Sequence, residues 1–153
     1  MPASRSTQLQ KLYREHEDAL AFADRVTRLA ADGTEQDLAE GIGLVRDYYQ
    51  SEMEAHLQQE EQTLFAPLLQ YDRENLTLCM RLGKEHGQLR TIVANLRPET
   101  ARQDLLAFGE VLREHTLAEE QQLLPLVESL FTTEQLDAVL NFTPLPWASV
   151  VRD

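Results

Sequence analysis

Residues 56–69, HLQQEEQTLFAPLL, recur in altered form at residues 115–127 as HTLAEEQQLLPLV. Both copies contain His-x-x-x-Glu-Glu-Gln-x-Leu, then Phe or Leu, then Pro-Leu, and the first copy has one residue inserted before its proline. Upstream of them, Arg14-Glu15-His16 is echoed by Lys84-Glu85-His86. This repeat predicts two copies of one helical hairpin, related by a pseudo-two-fold axis and carrying two equivalent half-sites.

The sequence around both copies has the composition and period of long helices. Gly and Pro number only six each, and the good helix formers Ala, Leu, Glu, Gln and Arg are common. Hydrophobic spacing predicts helices over about 6–31, 35–70, 73–96 and 99–130, a kink at Pro67, and a short fifth helix from Thr133. No strand-like alternation persists. We therefore predict an all-α fold, an antiparallel up-down-up-down four-helix bundle with a short C-terminal helix and tail.

A chain of 153 residues is the usual length of one domain. We expect residues 1–131 to form the four-helix bundle. Residues 132–153 are expected to add the short helix and a Pro-rich C-terminal tail to that same domain.

The charge balance excludes several classes of protein. Lys and Arg total 14 against 26 Asp and Glu, a formal net charge of −12, which argues against nucleic acid and anionic membranes as partners. The single cysteine, Cys79, excludes Cys-rich metal sites and an intrachain disulfide. The polar first ten residues carry no secretory signal, and no apolar stretch is long enough to span a bilayer. We expect a soluble, cytoplasmic protein.

The chain has four histidines, and each predicted long helix carries one on its inward face. At 1.5 Å per residue, their depths along the bundle differ by roughly 3 to 9 Å, which loops can absorb. Glu60 and Glu119 lie four residues after a histidine and point the same way as it does. An unbroken helical period also turns Glu52 inward. The histidines expected to converge on one level are His16, His56, His86 and His115.

A lone histidine on an apolar stripe is usually an ordinary core residue, and a lone His-x-x-x-Glu is usually an exposed pair. Here every histidine is in phase, and two share the same glutamate offset inside a repeat. Burying four imidazoles and two carboxylates without partners is costly, whereas a metal centre satisfies them all. This donor set suits iron, manganese or zinc. The Glu-x-x-His motif of ferritin-like bundles and the His-Glu-x-x-His motif of zincins are absent.

The pattern His16, His56-x-x-x-Glu60, His86, His115-x-x-x-Glu119 resembles the hemerythrin-like (HHE cation-binding) domain family over about residues 10–131. The resemblance implies a non-haem di-iron centre, bridged by an oxo or hydroxo group. In it the four histidines would be terminal metal ligands, and Glu60 and Glu119 would bridge the two iron ions. Zinc or manganese are the alternative ions.

Two positions depart from the oxygen-carrying hemerythrins that the pattern resembles. Where they have a fifth histidine this chain has Arg90, and where they have an aspartate it has Glu120. The repeat favours Glu119 as the ligand, and Glu120 remains a rival. Glu61 is expected outside the ligand set. Arg90 is expected either to bond a bridging carboxylate or bound anion, or to extend towards the end of the bundle.

Four histidines leave more open metal positions than five, so we expect a centre that binds, senses or reacts with oxygen, peroxide or nitric oxide. A small diatomic ligand or peroxide is the expected partner. Two alternatives stay open. One is an iron-handling or iron-centre repair protein, and the other is a helical interaction module whose site is empty or filled by zinc. The sequence does not predict an oligomeric state.

Overall fold

The computed structural model describes residues 6–148, and every regular element in that range is helical. The predicted all-helical class is confirmed. Residues 1–5 and 149–153, which the predicted domain includes, lie outside the described residues, and within 6–148 no helix combines the length and apolarity needed to cross a membrane. The five helices are α1 (Gln10–Asp32), α2 (35–71), α3 (Asn75–Ala94), α4 (101–130) and α5 (Thr133–Leu140).

Side-chain caps fix the start of two helices. At the start of α2 the Thr34 hydroxyl accepts a hydrogen bond from the Asp37 amide (3.2 Å), and the Thr34 amide donates to the Asp37 carboxylate (2.9 Å). Thr132 and Gln135 form the same reciprocal pair before α5. Such capping boxes satisfy amide groups that have no partner inside the helix. The links between the helices can therefore be short.

Helices α2 and α4 are interrupted by π-helical turns at Tyr49–Met53, Glu61–Phe65 and Glu119–Leu123. In each repeat one such turn lies just before the proline, Pro67 or Pro125, which has no amide to donate and crowds the preceding turn. The turn at Tyr49–Met53 also shifts the register of α2. The inward position predicted for Glu52 is therefore wrong: Glu52 is exposed, and Met53 and Glu54 are buried instead.

Two apolar clusters fill the bundle on either side of a polar layer. On α1, Leu12 belongs to one cluster and Ala19 to the other, and His16 lies between them. On α3, Leu82 and Leu89 are divided between the clusters in the same way. On α1, α3 and α4 the change from one cluster to the other falls at the histidine, and on α2 it falls just after His56. The histidines therefore lie near the middle of the core.

The closest packing in the bundle joins α1 and α4. Gly109 of α4 lies against α1, where a Cβ atom at position 109 would collide with the Thr27 hydroxyl and lie 3.1 Å from the Ala23 carbonyl oxygen. The Thr27 hydroxyl donates a hydrogen bond of 2.8 Å to that same carbonyl, so it has little freedom to move away. The absence of a side chain at residue 109 sets the distance between the two helices.

The end of the described chain is attached to α2. The Gln59 side-chain amide donates to the Val139 carbonyl of α5 (2.8 Å), and Leu145 exchanges two backbone hydrogen bonds with the side chain of Gln58 (2.9 and 3.3 Å). Trp147 packs against the apolar core, whereas the Leu145 side chain is 65% exposed. Residues 142–148 contain no helix, as their prolines predict.

We expect Gly109→Ala to lower the free energy of unfolding by about 1–3 kcal/mol, because the added methyl group overpacks the contact between α1 and α4. The matched control is Gly43→Ala, whose Cβ would have no neighbour within 4 Å. In the control, the better helix propensity of alanine should raise stability by about 0.5–1 kcal/mol. Urea unfolding of both variants tests this, and equal effects would contradict the proposed close contact.

Candidate metal centre

The structure brings the four predicted histidines together in the polar layer. His16, His86 and His115 are almost fully buried, and 14% of the His56 side chain is exposed. The rings form two neighbouring pairs. The ring centroids of His16 and His56 are 5.1 Å apart, and those of His86 and His115 are 4.7 Å apart. The Nε2 atoms of His86 and His115 approach to 3.1 Å, so the rings turn these nitrogens towards a common centre.

Glu60 lies between the two histidine pairs and is fully buried. Its Oε2 atom is 3.0 Å from His56 Nε2 and 3.2 Å from His16 Nε2. Its Oε1 atom is 3.0 Å from His86 Nε2 and 3.8 Å from His115 Nε2. Each oxygen of this one carboxylate therefore faces a different pair of histidines.

Glu119 repeats this arrangement from the opposite helix. Its Oε1 atom is 3.1 Å from His16 Nε2, and its Oε2 atom is 3.1 Å from His115 Nε2 and 3.9 Å from His86 Nε2. Two groups of candidate ligands result, each with its donor atoms within 4.8 Å of one another. One contains His16 and His56, the other contains His86 and His115, and both contain Glu60 and Glu119.

The Glu119 carboxylate provides a test of whether these residues fit a cation. Both of its oxygens are buried and have no hydrogen-bond partner among residues 6–148, although each lies 3.1 Å from a histidine nitrogen. A buried carboxylate without hydrogen bonds is very unfavourable, and coordination of a metal ion removes that cost. Carboxylate oxygens and imidazole nitrogens are also the donors that first-row transition metals accept. The residues present therefore fit a metal ion.

Four further glutamates, which we call the outer carboxylates, each accept a hydrogen bond from the Nδ1 atom of one histidine. We call Glu60 and Glu119 the inner carboxylates. The His56 Nδ1–H donates to Glu15 (3.0 Å) and the His115 Nδ1–H donates to Glu85 (2.9 Å). In both cases the acceptor directly precedes a histidine of another helix in the sequence. The metal motif gives no hint of these two residues. The Glu-His dipeptide does not single them out either, because it recurs at the exposed Glu114.

The remaining two outer carboxylates follow the inner ones directly in the sequence. The His16 Nδ1–H donates to Glu120 (2.9 Å), and the His86 Nδ1–H donates to Glu61 (2.7 Å). Glu119 thus lies among the Nε2 atoms, whereas its rival Glu120 lies behind a ring. Because an ionised carboxylate only accepts hydrogen bonds, each Nδ1 carries the proton. When an imidazole is neutral, its Nε2 lone pair then points at the centre, as a metal ligand requires.

Arg90 lies outside this layer and bonds two carboxylates at once. Its guanidinium donates to Glu54 (2.9 and 3.1 Å) and to Glu61 (2.7 and 3.2 Å). It therefore contacts neither of the inner carboxylates and instead reaches the centre through Glu61 and His86. The sequence pattern does not identify Glu54 as its partner, because the π-helical turn at Tyr49–Met53 sets the direction in which Glu54 points.

The inner carboxylates and the histidines shift each other's pKa values. Burial disfavours the charged imidazolium of His86, but the carboxylates of Glu119, Glu60 and Glu61 outweigh it and raise its pKa to about 10. His56 follows the same pattern with Glu60 and Glu15, and its pKa is raised to about 9. Burial and Glu60 oppose ionisation of Glu119, yet the imidazoles of His115 and His16 lower its pKa to about 2. Without a metal, protons on the histidines balance the buried carboxylates, and a cation has to displace them.

A small cavity of about 30 Å³ reaches one side of the centre. His56, His115 and Glu119 contribute to its wall, and Glu15, Asp18 and Glu52 give the wall an acidic character. Tyr48 also contributes to this wall. The volume is about that of one water molecule.

A family model described as the Hemerythrin HHE cation binding domain matches residues 7–127, which is most of the chain. The chain belongs to the hemerythrin HHE cation-binding domain family. The predicted family is thereby confirmed, and a hemerythrin-like domain binds metal cations, usually iron. Searches of curated proteins and of solved structures returned no match. In this hemerythrin-like domain the His/Glu cluster fits such a metal site.

We expect Glu85→Gln to weaken metal binding by about 10–100-fold, because it removes the carboxylate that orients His115 and raises its basicity. Zn²⁺ competition against a chromophoric chelator measures the change. Glu114→Gln makes the same change at an exposed position of α4, next to His115, and as the control it should bind Zn²⁺ as the unaltered chain does. Equal affinities for all three proteins would mean that the outer carboxylate does not support the site.

The metal-free hemerythrin-like domain should lose stability as the pH rises. A histidine with a raised pKa stabilises the fold fully below its unfolded pKa of about 6.5. That contribution is lost as the pH passes the folded values of about 9 for His56 and about 10 for His86. Urea unfolding of chelator-treated protein between pH about 6 and about 10 tests this. A free energy of unfolding that stays constant or rises over that range would contradict it.

Proposed function

We propose that this hemerythrin-like domain holds two iron ions and binds, senses or reacts with oxygen, peroxide or nitric oxide. His16 and His56 would bind one ion, and His86 and His115 would bind the other. Glu60 and Glu119 would bridge the two ions. The observation that carries this proposal is that the two oxygens of each inner carboxylate face different histidine pairs.

The number of protein donors supports a centre with room for a ligand. Four imidazole nitrogens and four carboxylate oxygens make eight donor atoms. Two six-coordinate ions need twelve, and a bridging oxo or hydroxo group would provide two more, which leaves about two positions. Iron bound there would supply redox chemistry and open positions for a small ligand. A fifth histidine would leave only one, and Arg90 stands at that place in the sequence.

The cavity beside the centre supports a small ligand rather than a bulky substrate. Its volume of about 30 Å³ suits a diatomic molecule or peroxide, and His56, His115 and Glu119 border it. Tyr48 keeps its proton at neutral pH, because burial, followed by the charges of Glu52 and Glu15, raises its pKa. The Tyr48 hydroxyl can therefore donate a hydrogen bond to a ligand in the cavity.

We also propose the antiparallel up-down-up-down order for α1 to α4, in one domain of which residues 132–153 are part. The short links between the helices and the meeting of the four histidines at one level support this order. A reducing, cytoplasmic setting is proposed as well, because the chain's single cysteine, Cys79, is a free thiol, as is usual in that compartment.

Anaerobic loading with Fe²⁺, metal analysis and stopped-flow mixing with oxygen test the proposed function. We expect two irons per chain, near-ultraviolet bands of an oxo bridge after oxidation, and irreversible autoxidation. Fully reversible oxygen uptake would contradict a reactive centre and support an oxygen carrier. A colourless protein that retains no iron would support the helical interaction module. Transfer of the iron to an acceptor protein would support iron handling, and turnover assays with peroxide and nitric oxide would separate an enzyme from a sensor.

The cavity can be tested in the same experiment with Ala19→Leu. Ala19 is buried and borders the cavity, so the larger side chain should fill it and slow the reaction with oxygen at an unchanged iron content. Ala21→Leu makes the same change at an exposed position of the same helix and should leave the rate as it is. Equal rates for the two variants would exclude this cavity as the route to the centre.

A further inference from the structure

Two of the outer carboxylates have matching cations in the two halves of the repeat. Lys11 lies 3.7 Å from Glu15, and Arg81 lies 3.4 Å from Glu85. Both cations are four residues before the glutamate that they contact. The supports of His56 and His115 are therefore alike in charge, as the internal repeat predicts.

The other two outer carboxylates are not alike. Glu61, which supports His86, receives two hydrogen bonds from Arg90. Among residues 6–148, Glu120 has an ion pair with His16 but none with an arginine or lysine. The position that matches Arg90 in the other half is Leu20, so the repeat itself lacks the second cation. The predicted equivalence of the half-sites fails at this point.

A second difference fixes Arg90 in place. Glu54 accepts two hydrogen bonds from the guanidinium, and it is 7% exposed although it is charged. The position that matches Glu54 in the other half is the exposed Arg113. Bidentate contacts with two carboxylates hold the planar guanidinium in one orientation. Arg90 is therefore a fixed positive charge that belongs to only one half of the centre.

This charge weakens electron donation from one histidine. A carboxylate that accepts the Nδ1–H of a ligating imidazole makes the ring a stronger donor to the metal. Arg90 neutralises part of the negative charge of Glu61. The donor strength of His86 is therefore raised less by Glu61 than that of His16 is raised by Glu120. The positive charge itself also disfavours extra positive charge nearby. Both effects favour the lower oxidation state on the side of His86.

We propose that Arg90 makes the two metal positions inequivalent, so that the first electron enters on the side of His86 and His115. This inference rests on the proposed di-iron function. An added one-electron reductant gives one electron to the ferric ion held by His86 and His115, which becomes ferrous. The ion held by His16 and His56 stays ferric until a second electron arrives. Arg90 is a positioning residue here, because it acts through Glu61 and His86.

A redox titration of the iron-loaded protein, followed by electron paramagnetic resonance of the mixed-valence form, tests the proposal. Arg90→Leu places in this half the residue that the other half has. We expect the upper reduction potential to fall by about 59 mV and the lower potential to stay nearly unchanged. This shift corresponds to a tenfold decrease in the equilibrium constant that favours the mixed-valence form. Arg90→Lys keeps a positive charge and should restore most of the separation.

The reciprocal variant Leu20→Arg keeps the proposal testable should Arg90→Leu fail to fold. By the repeat, an arginine at that position should reach Glu120, raise the lower potential and reduce the separation. Arg28→Leu removes an arginine that is 80% exposed and pairs with Asp24, and it should shift neither potential.

Three outcomes would overturn the inference. The first is that both reduction potentials shift by the same amount in Arg90→Leu, and the second is that Leu20→Arg folds and leaves the separation of the potentials unchanged. In either case, two bound irons per chain would leave the proposed function intact. Fewer than two irons per chain in the unaltered protein would overturn both the inference and the proposed function.

Discussion

Two buried carboxylates, Glu60 and Glu119, set the main electrostatic constraint on this protein. A carboxylate in an apolar core requires a positive partner and hydrogen bonds, or its burial costs several kcal/mol. Four imidazoles surround the pair. When protonated they supply the positive charge themselves, and when neutral they can bind a metal cation that supplies it. Each imidazole needs an acceptor for its other nitrogen, and the outer carboxylates provide one at the boundary with water. The inner carboxylates, the imidazoles and the outer carboxylates thus form one continuous network.

This network explains why the bundle is built as it is. Each long helix contributes one histidine, and two apolar clusters exclude water from both sides of the polar layer. The absence of a side chain at Gly109 lets α1 and α4 approach closely, so that His16 of α1 reaches Glu119 and Glu120 of α4. Stability and metal binding therefore depend on the same helix contacts. The protonated and the metal-bound centre compete for the same nitrogens, which links the pH, the fold and the metal content.

The repeat provides near symmetry, and departures from it provide differences that the proposed di-iron centre could use. Matching cations support Glu15 and Glu85. Glu61 is held by Arg90, which Glu54 fixes in turn, whereas Glu120, its counterpart, has no arginine or lysine partner among residues 6–148. Two inequivalent metal positions would suit one-electron steps, because the single added electron of a mixed-valence form would then have one preferred ion. A carrier that binds and releases oxygen unchanged has no need of such a form. The cavity reaches His56 and His115, one histidine of each pair.

Helical period and the repeat were enough to predict the all-helical fold, the approximate helix bounds and the convergence of His16, His56, His86 and His115. The helix bounds and the face on which each histidine lies are local features, since the period of a helix decides which side chains share a face. The four histidines then converge because those faces pack around one core. The period failed at Glu52, where a π-helical turn shifts the register. The pairing of Glu15 with His56, of Glu85 with His115 and of Arg90 with Glu54 could not be predicted. These contacts join different helices, so they depend on the rotation and axial offset of each helix, which packing around Gly109 and the π-helical turns fixes in three dimensions.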